Sequence, residues 1–68
     1  MSARIHINGK EEQVEVATIA ELLAQRGIKR AKGVAVAVNG AVVPQSAWEK
    51  ARLDAGDRVE IVKPFGGG

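Results

Sequence analysis

Two Asn-Gly steps, Asn8-Gly9 and Asn39-Gly40, are the feature that most constrains the fold of this chain. A two-residue type I′ turn needs a positive φ at both central residues, and Asn-Gly is a pair that adopts this conformation readily. Apolar or alternating residues flank each step. We therefore predict two β-hairpins, one near the start of the 68-residue chain and one after its middle.

The first hairpin is predicted from the alternation around its turn. Residues 3–8 alternate between apolar and polar side chains, which indicates a strand with one buried face. The return strand is predicted at residues 12–16, with Val14 and Val16 facing the core. His6 lies on the polar side of the first strand, and we interpret it as a surface residue.

A short helix is predicted to follow, ending at about Arg26. Thr18 and Glu21 have the spacing of a capping box, in which the Thr18 hydroxyl accepts from the Glu21 amide and the Glu21 carboxylate reaches back to the Thr18 amide. One apolar stripe at i, i+3 and i+4 is formed by Ile19, Leu22 and Leu23. A helix this short is not stable alone, so it is expected to pack on the sheet.

The second half of the chain predicts three more strands. Residues 33–38 are apolar on both faces, and their three valines are expected to face the helix. After the second turn, residues 41–43 form a short return strand that Pro44 stops. Residues 46–48 predict a helical turn, with Trp48 covering one end of the core. Residues 58–62 alternate again and predict the last strand.

This order of elements favours one arrangement. The simplest closed sheet places the first and last strands side by side and parallel, joined by a right-handed crossover. We therefore expect an α+β fold: a single β-grasp, or ubiquitin-like, domain over residues 1–63, with a mixed sheet of four to five strands and one main helix on one face. The last strand then runs through the middle of the sheet and leads to a flexible Gly-rich tail at residues 64–68.

Composition excludes several classes of function. The chain is 46% apolar and 26% charged, which is typical of a globular domain, and a domain of this size leaves little room for an enclosed active site. It has no cysteine and one histidine, so we expect no disulfide, no thiolate nucleophile, no metal site and no histidine-based catalytic pair. No segment has the length of a membrane helix or the pattern of a signal peptide, and we expect a cytoplasmic protein.

Four segments resemble the small sulfur carrier proteins of thiamine biosynthesis, the ThiS family. They are residues 5–9, 34–48 and 54–62 and the terminal glycines. The stretch VNGAVVPQSAW at residues 38–48 is the specific part. A terminal Gly-Gly alone fits any ubiquitin-like carrier, including the related molybdopterin sulfur carriers. Gly66 occupies a position that varies in the family.

The resemblance implies a carrier, not an enzyme, with sulfur held as a thiocarboxylate on Gly68. A free α-carboxyl group is ionised at neutral pH and is a poor electrophile. The implied partners are an E1-like adenylating enzyme that uses ATP, a cysteine desulfurase or similar persulfide donor, and thiazole synthase. The carrier itself binds no cofactor. Phe65, Gly66 and Gly67 are expected to thread into partner active sites, although Phe65 could instead cover its own sheet.

Two surfaces could meet a partner. Ala35, Ala37 and Val62 are predicted to share the sheet face away from the helix, and an apolar patch there would be a docking surface. A basic cluster follows the helix, formed by Arg26, Lys29, Arg30 and Lys32.

Other functions stay open at this point. The basic cluster could instead belong to a small RNA-binding β-grasp module, but the chain lacks aromatic residues for base stacking, and its net charge is only +2, so no nucleic acid is expected. A carrier could also supply sulfur to molybdopterin, cysteine or a secondary metabolite. An activated carboxyl group could equally be attacked by a lysine amine, as in ubiquitin-like conjugation.

Overall fold

The computed structural model describes residues 2–28 and 32–63. This part of the chain contains five strands, one α-helix and a single 3₁₀ turn at Gln45–Ala47. In chain order they are β1 (Ala3–Ile7), β2 (Lys10–Val14), α1 (Ile19–Gln25), β3 (Ala35–Val38), β4 (Ala41–Val43) and β5 (Arg58–Val62).

The five strands form one mixed sheet in the order β2-β1-β5-β3-β4. β1 pairs with β2 in antiparallel fashion and with β5 in parallel fashion. β3 is antiparallel to both β4 and β5. This topology confirms the predicted β-grasp fold, because the first and last strands are parallel neighbours and β5 lies at the centre.

Both Asn-Gly steps form the predicted hairpin turns. The φ angles are 52° and 84° at Asn8 and Gly9, and 53° and 85° at Asn39 and Gly40. The first return strand forms, but at Lys10–Val14 and so two residues earlier than the predicted residues 12–16. Pairing begins at Lys10, directly opposite Ile7, because a two-residue loop leaves no unpaired residues after the turn.

The third strand is also shorter than predicted. It begins at Ala35, not at residue 33, because Gly33 has a φ of 78°, which a strand cannot accommodate. Val36 is fully buried, and Val34 and Val38 are half-buried against the core, as expected for the valine face.

The capping box at the start of α1 forms with one changed bond. Thr18 Oγ1 accepts from the Glu21 amide at 3.2 Å, as predicted. The Glu21 carboxylate accepts instead from the Ala17 amide, at 2.7 Å, and not from Thr18. Thr18 and Arg52 form an isolated antiparallel β-bridge, in which the Ala17 carbonyl accepts from the Leu53 N–H. The Ala17 N–H takes no part in this bridge and donates to the Glu21 carboxylate.

The core lies between α1 and one face of the sheet. Its buried residues form one cluster: Ile5, Ile7, Val14, Ile19, Leu22, Leu23, Val36, Trp48, Leu53, Val59 and Ile61. Trp48 is buried, and its indole Nε1 donates to the Val43 carbonyl at 2.8 Å. This confirms its predicted place over the core.

Candidate functional site

The predicted tail residues lie outside the part of the chain that the structure describes. These are Phe65, Gly66, Gly67 and Gly68. The structure does describe the segment that precedes them, residues 61–63, which we call the tail root. β5 is flanked by β1 and β3, so the tail root begins in the middle of the sheet and not at an edge.

The side chain of Asn8 holds the backbone of the tail root. Its Oδ1 accepts from the Ile61 amide at 2.8 Å, and its Nδ2 donates to the Ile61 carbonyl at 3.2 Å. The two residues are 53 positions apart in the sequence. One side chain therefore satisfies both backbone polar groups of Ile61.

This contact replaces backbone pairing that β1 cannot supply. In the parallel ladder between β1 and β5, the His6 N–H donates to the Asp57 carbonyl, and the Asn8 N–H donates to the Val59 carbonyl. Both distances are 2.9 Å. At Asn8 the backbone turns into the hairpin with a positive φ. The next backbone partners for β5 are then missing, and the side-chain amide of Asn8, which carries one C=O and one N–H₂ group, takes their place.

Asn39 forms a similar contact at the opposite end of β5. Its backbone N–H donates to the Arg58 carbonyl at 2.7 Å, and its Oδ1 accepts from the Arg58 amide at 2.9 Å. Its Nδ2 donates to an oxygen of Asp57 at 3.1 Å. The two hairpin asparagines thus hold the first and the fourth residues of β5.

The strand register brings the predicted docking residues together. Ala35 is paired with Val62, and Ala37 lies two residues along β3 on the same face. Val42 of β4 is paired with Ala37 and is 76% exposed, and Val62 is 59% exposed. We call these four residues the outer patch. The sequence interpretation missed Val42, although the register of a two-residue hairpin loop already places residue 42 opposite residue 37.

The other half of the same face is polar. A cavity of about 430 Å³ is lined by His6, Asn8, Gly9, Arg58, Val59 and Glu60. His6 is half-buried, and its Nδ1 is shielded from solvent without a hydrogen-bond partner among the described residues. Its interpretation as a plain surface residue was therefore incomplete, because the neighbouring side chains cover part of the ring.

Comparison with known proteins identifies the family. The model of the ThiS family matches residues 4–68, which is nearly the whole chain. The chain belongs to the ThiS family. The resemblance inferred from the sequence segments is thereby confirmed.

The ThiS relatives include two structures of one protein. The crystal structure of the thiamine biosynthesis protein ThiS from Geobacter metallireducens superposes with a TM-score of 0.78, at 32% identity, over 96% of this chain and 99% of that chain. The solution structure of a thiamine biosynthesis protein from the same organism gives the same TM-score and identity, and 87% of its chain is covered. These similarities confirm the ubiquitin-like fold of the family.

A curated relative of the ThiS-family chain is much longer. A thiazole synthase from Paramagnetospirillum magneticum is 36% identical over 66 residues. The aligned region is 96% of this chain but 20% of that protein. The chain thus spans about a fifth of the length of this relative.

The basic cluster of this ThiS-family chain is partly neutralised. Arg26 forms two hydrogen bonds with the Glu12 carboxylate, at 2.9 and 3.2 Å. Lys32 is exposed, and Lys29 and Arg30 lie outside the described residues. Trp48 is buried, so it offers no face on which a base could stack. Within the described residues, neither Arg26 nor Trp48 favours RNA binding.

The described residues show neither a metal cluster nor a membrane-spanning helix. Across residues 2–28 and 32–63, no group of three or more histidine, cysteine or acidic side chains is placed to hold a metal ion. None of the helices in the described part has the length and apolar character needed to cross a membrane.

Proposed function

We propose that this chain is a sulfur carrier of thiamine biosynthesis whose C-terminal carboxyl group, on Gly68, becomes a thiocarboxylate. The observation that carries the proposal is the family match, which extends through residue 68 and so includes the terminal glycines. Membership of the ThiS family, together with the solved thiamine biosynthesis relatives, supports the carrier role.

The proposed chemistry begins with activation of the carboxylate. The Gly68 carboxylate attacks the α-phosphorus of ATP in the adenylating enzyme, which forms an acyl-adenylate and releases pyrophosphate. A persulfide on the sulfur donor then attacks the acyl carbon and expels AMP, leaving an acyl disulfide. A thiol reductant cleaves the S–S bond with two electrons, and the carrier leaves as the thiocarboxylate.

This chain contributes a carboxyl group and a surface to the proposed reaction. It has no cysteine, so a thiol of its own cannot carry the sulfur. Glycine has no Cβ, and Gly66 and Gly67 would let the chain pass through a narrow channel. Phe65 would contact the wall of that channel. The partners supply every catalytic group and the ATP, so the proposed carrier is a co-substrate and not an enzyme.

Thiazole synthase is the proposed acceptor of the sulfur. A thiazole synthase contains a segment that is similar to almost all of this chain, which supports a direct functional link between the two. The outer patch, including Ala35, Ala37 and Val62, is the proposed docking surface for the adenylating enzyme or the synthase, because exposed apolar residues beside the tail root can be buried by a partner.

Intact-mass spectrometry tests the proposal. The full chain is incubated with the adenylating enzyme of the same genome, ATP, a cysteine desulfurase and cysteine. We expect a mass shift that equals the replacement of one oxygen by sulfur, located on the fragment that contains Gly68. Deletion of Gly68 should abolish the shift and leave the thermal unfolding midpoint unchanged. An unmodified mass for the intact chain would reject the proposal.

A second step separates thiamine from other pathways. The thiocarboxylate form is mixed with thiazole synthase and its small-molecule substrates, and thiazole formation is measured by chromatography. Formation of the thiocarboxylate without any thiazole would retain a sulfur carrier but assign it to another product.

A further inference from the structure

We infer that Asn8 is a positioning residue for the reaction at the C-terminus: its side-chain amide sets the place and direction in which the tail leaves the domain. This inference rests on the proposed carrier function. Asn8 is remote from the reacting carboxyl group in the sequence, and it acts through the backbone of Ile61.

Asn8 is the last partner of β5 on the β1 side. Val59 O accepts from the Asn8 amide, and both polar groups of Ile61 are bonded by the Asn8 side chain. On the other side, Val62 is paired with Ala35, the first residue of β3. The tail root is therefore held on one side by a strand and on the other by a single side chain.

Loss of that side chain would release the tail root on one side. Alternate residues of a strand direct their backbone groups to opposite neighbours, so the bonds of Val62 to β3 do not compensate for those of Ile61. The origin of the tail would then sample more directions. Small displacements of a reacting group lower the rate of a positioned reaction strongly, by up to about 10²-fold for about 1 Å.

Asn39 provides a matched control within the same molecule. It also begins an Asn-Gly turn with a positive φ, and its Oδ1 also accepts from a β5 amide. Its partner is Arg58, at the start of β5, roughly 13 Å from Val62 at about 3.3 Å per residue. A variant at Asn39 should therefore lose comparable turn stability without loosening the tail root.

The experiment compares Asn8→Gly with Asn39→Gly in the full chain. Glycine accepts the positive φ of each turn and removes the side-chain bonds, and the backbone freedom that it adds is the same in both variants. The rate of ATP–pyrophosphate exchange by the adenylating enzyme is measured against carrier concentration. Hydrogen exchange of the Ile61 amide is followed by NMR, and thermal unfolding gives the stability of each variant. Asn8→Asp, which keeps the acceptor for Ile61 N–H and removes the donor to its carbonyl, is the conservative variant.

We expect kcat for exchange to fall about tenfold in Asn8→Gly, with KM for the carrier little changed, and to be unaltered in Asn39→Gly. The Ile61 amide should exchange at least about tenfold faster in Asn8→Gly alone, and Asn8→Asp should recover part of both losses. Equal kcat in the two glycine variants, with Ile61 exchange accelerated only in Asn8→Gly, would overturn the inference and leave the carrier function intact. Absence of exchange with the wild-type chain would reject the carrier function and this inference with it.

Discussion

Arg26 and Glu12 form a two-bonded ion pair that joins the residue after α1 to the edge strand β2. Arg26 Nη2 lies 2.9 Å from Glu12 Oε2, and Nη1 lies 3.2 Å from Oε1. The side chains retain 35% and 33% exposure. The planar guanidinium suits the two carboxylate oxygens, so the pair fixes the end of the helix against the sheet.

This geometry predicts a small, salt-sensitive contribution to stability. Because both side chains are about one-third exposed, water screens the pair, and we expect a coupling free energy of about 0.5–1 kcal/mol. A double-mutant cycle with Arg26→Gln and Glu12→Gln, measured by urea unfolding, gives this value. The coupling should shrink at about 1 M NaCl, where the Debye length is short. A coupling that does not change with salt would contradict the electrostatic interpretation.

Truncation of Leu22 should be severe for so small a domain. Leu22 is fully buried within the single core cluster. We expect Leu22→Ala to lower the free energy of unfolding by about 2–5 kcal/mol through lost transfer energy and a cavity. Val42→Ala is the matched control at a 76% exposed position, and its effect should stay within about 0.5 kcal/mol. Chemical denaturation followed by circular dichroism measures both. Similar losses at the two sites would contradict the assigned core.

Trp48 should contribute to the stability of the domain through both its packing and its hydrogen bond. Trp48→Phe removes the indole N–H that donates to the Val43 carbonyl at 2.8 Å, and it leaves space in the core. We expect a loss of about 1–3 kcal/mol in the free energy of unfolding. Far-ultraviolet circular dichroism is the suitable probe, because the variant lacks the only tryptophan of the chain. Unchanged stability would show that neither contact contributes.

A change in the outer patch should affect KM for the carrier, whereas a change at Asn8 should affect kcat. Val62→Lys places a charge on an exposed apolar surface without disturbing the core, since Val62 is 59% exposed. We expect KM of the adenylating enzyme for the carrier to rise about tenfold, with kcat little changed, because the charge weakens docking while the backbone pairing of Val62 with Ala35 holds the tail root in place. Ala24→Lys, at an exposed position on α1, adds the same charge elsewhere and should leave KM unaltered. An equal change in both variants would point to net charge and away from the patch.

Most of the fold could be predicted because its signals are local. The two Asn-Gly steps place their own turns, and the alternation at residues 3–7 and 58–62 identifies buried faces without knowledge of the partner strands. The errors were at boundaries. β2 begins at Lys10 because the turn sets the register, and β3 begins at Ala35 because Gly33 adopts a left-handed conformation.

The sequence by itself determined the order of the elements along the chain, the helix and the family, since turns, alternation and caps are patterns within short segments. The crossover rule then favoured the parallel pairing of the first and last strands. Only the tertiary structure revealed that the Asn8 side chain forms hydrogen bonds with the backbone of Ile61 and that Arg26 pairs with Glu12. These contacts join residues 53 and 14 positions apart, and their polar side chains look like ordinary turn and surface residues in the sequence. A hydrogen bond depends on the distance between two atoms in space, which no local pattern encodes.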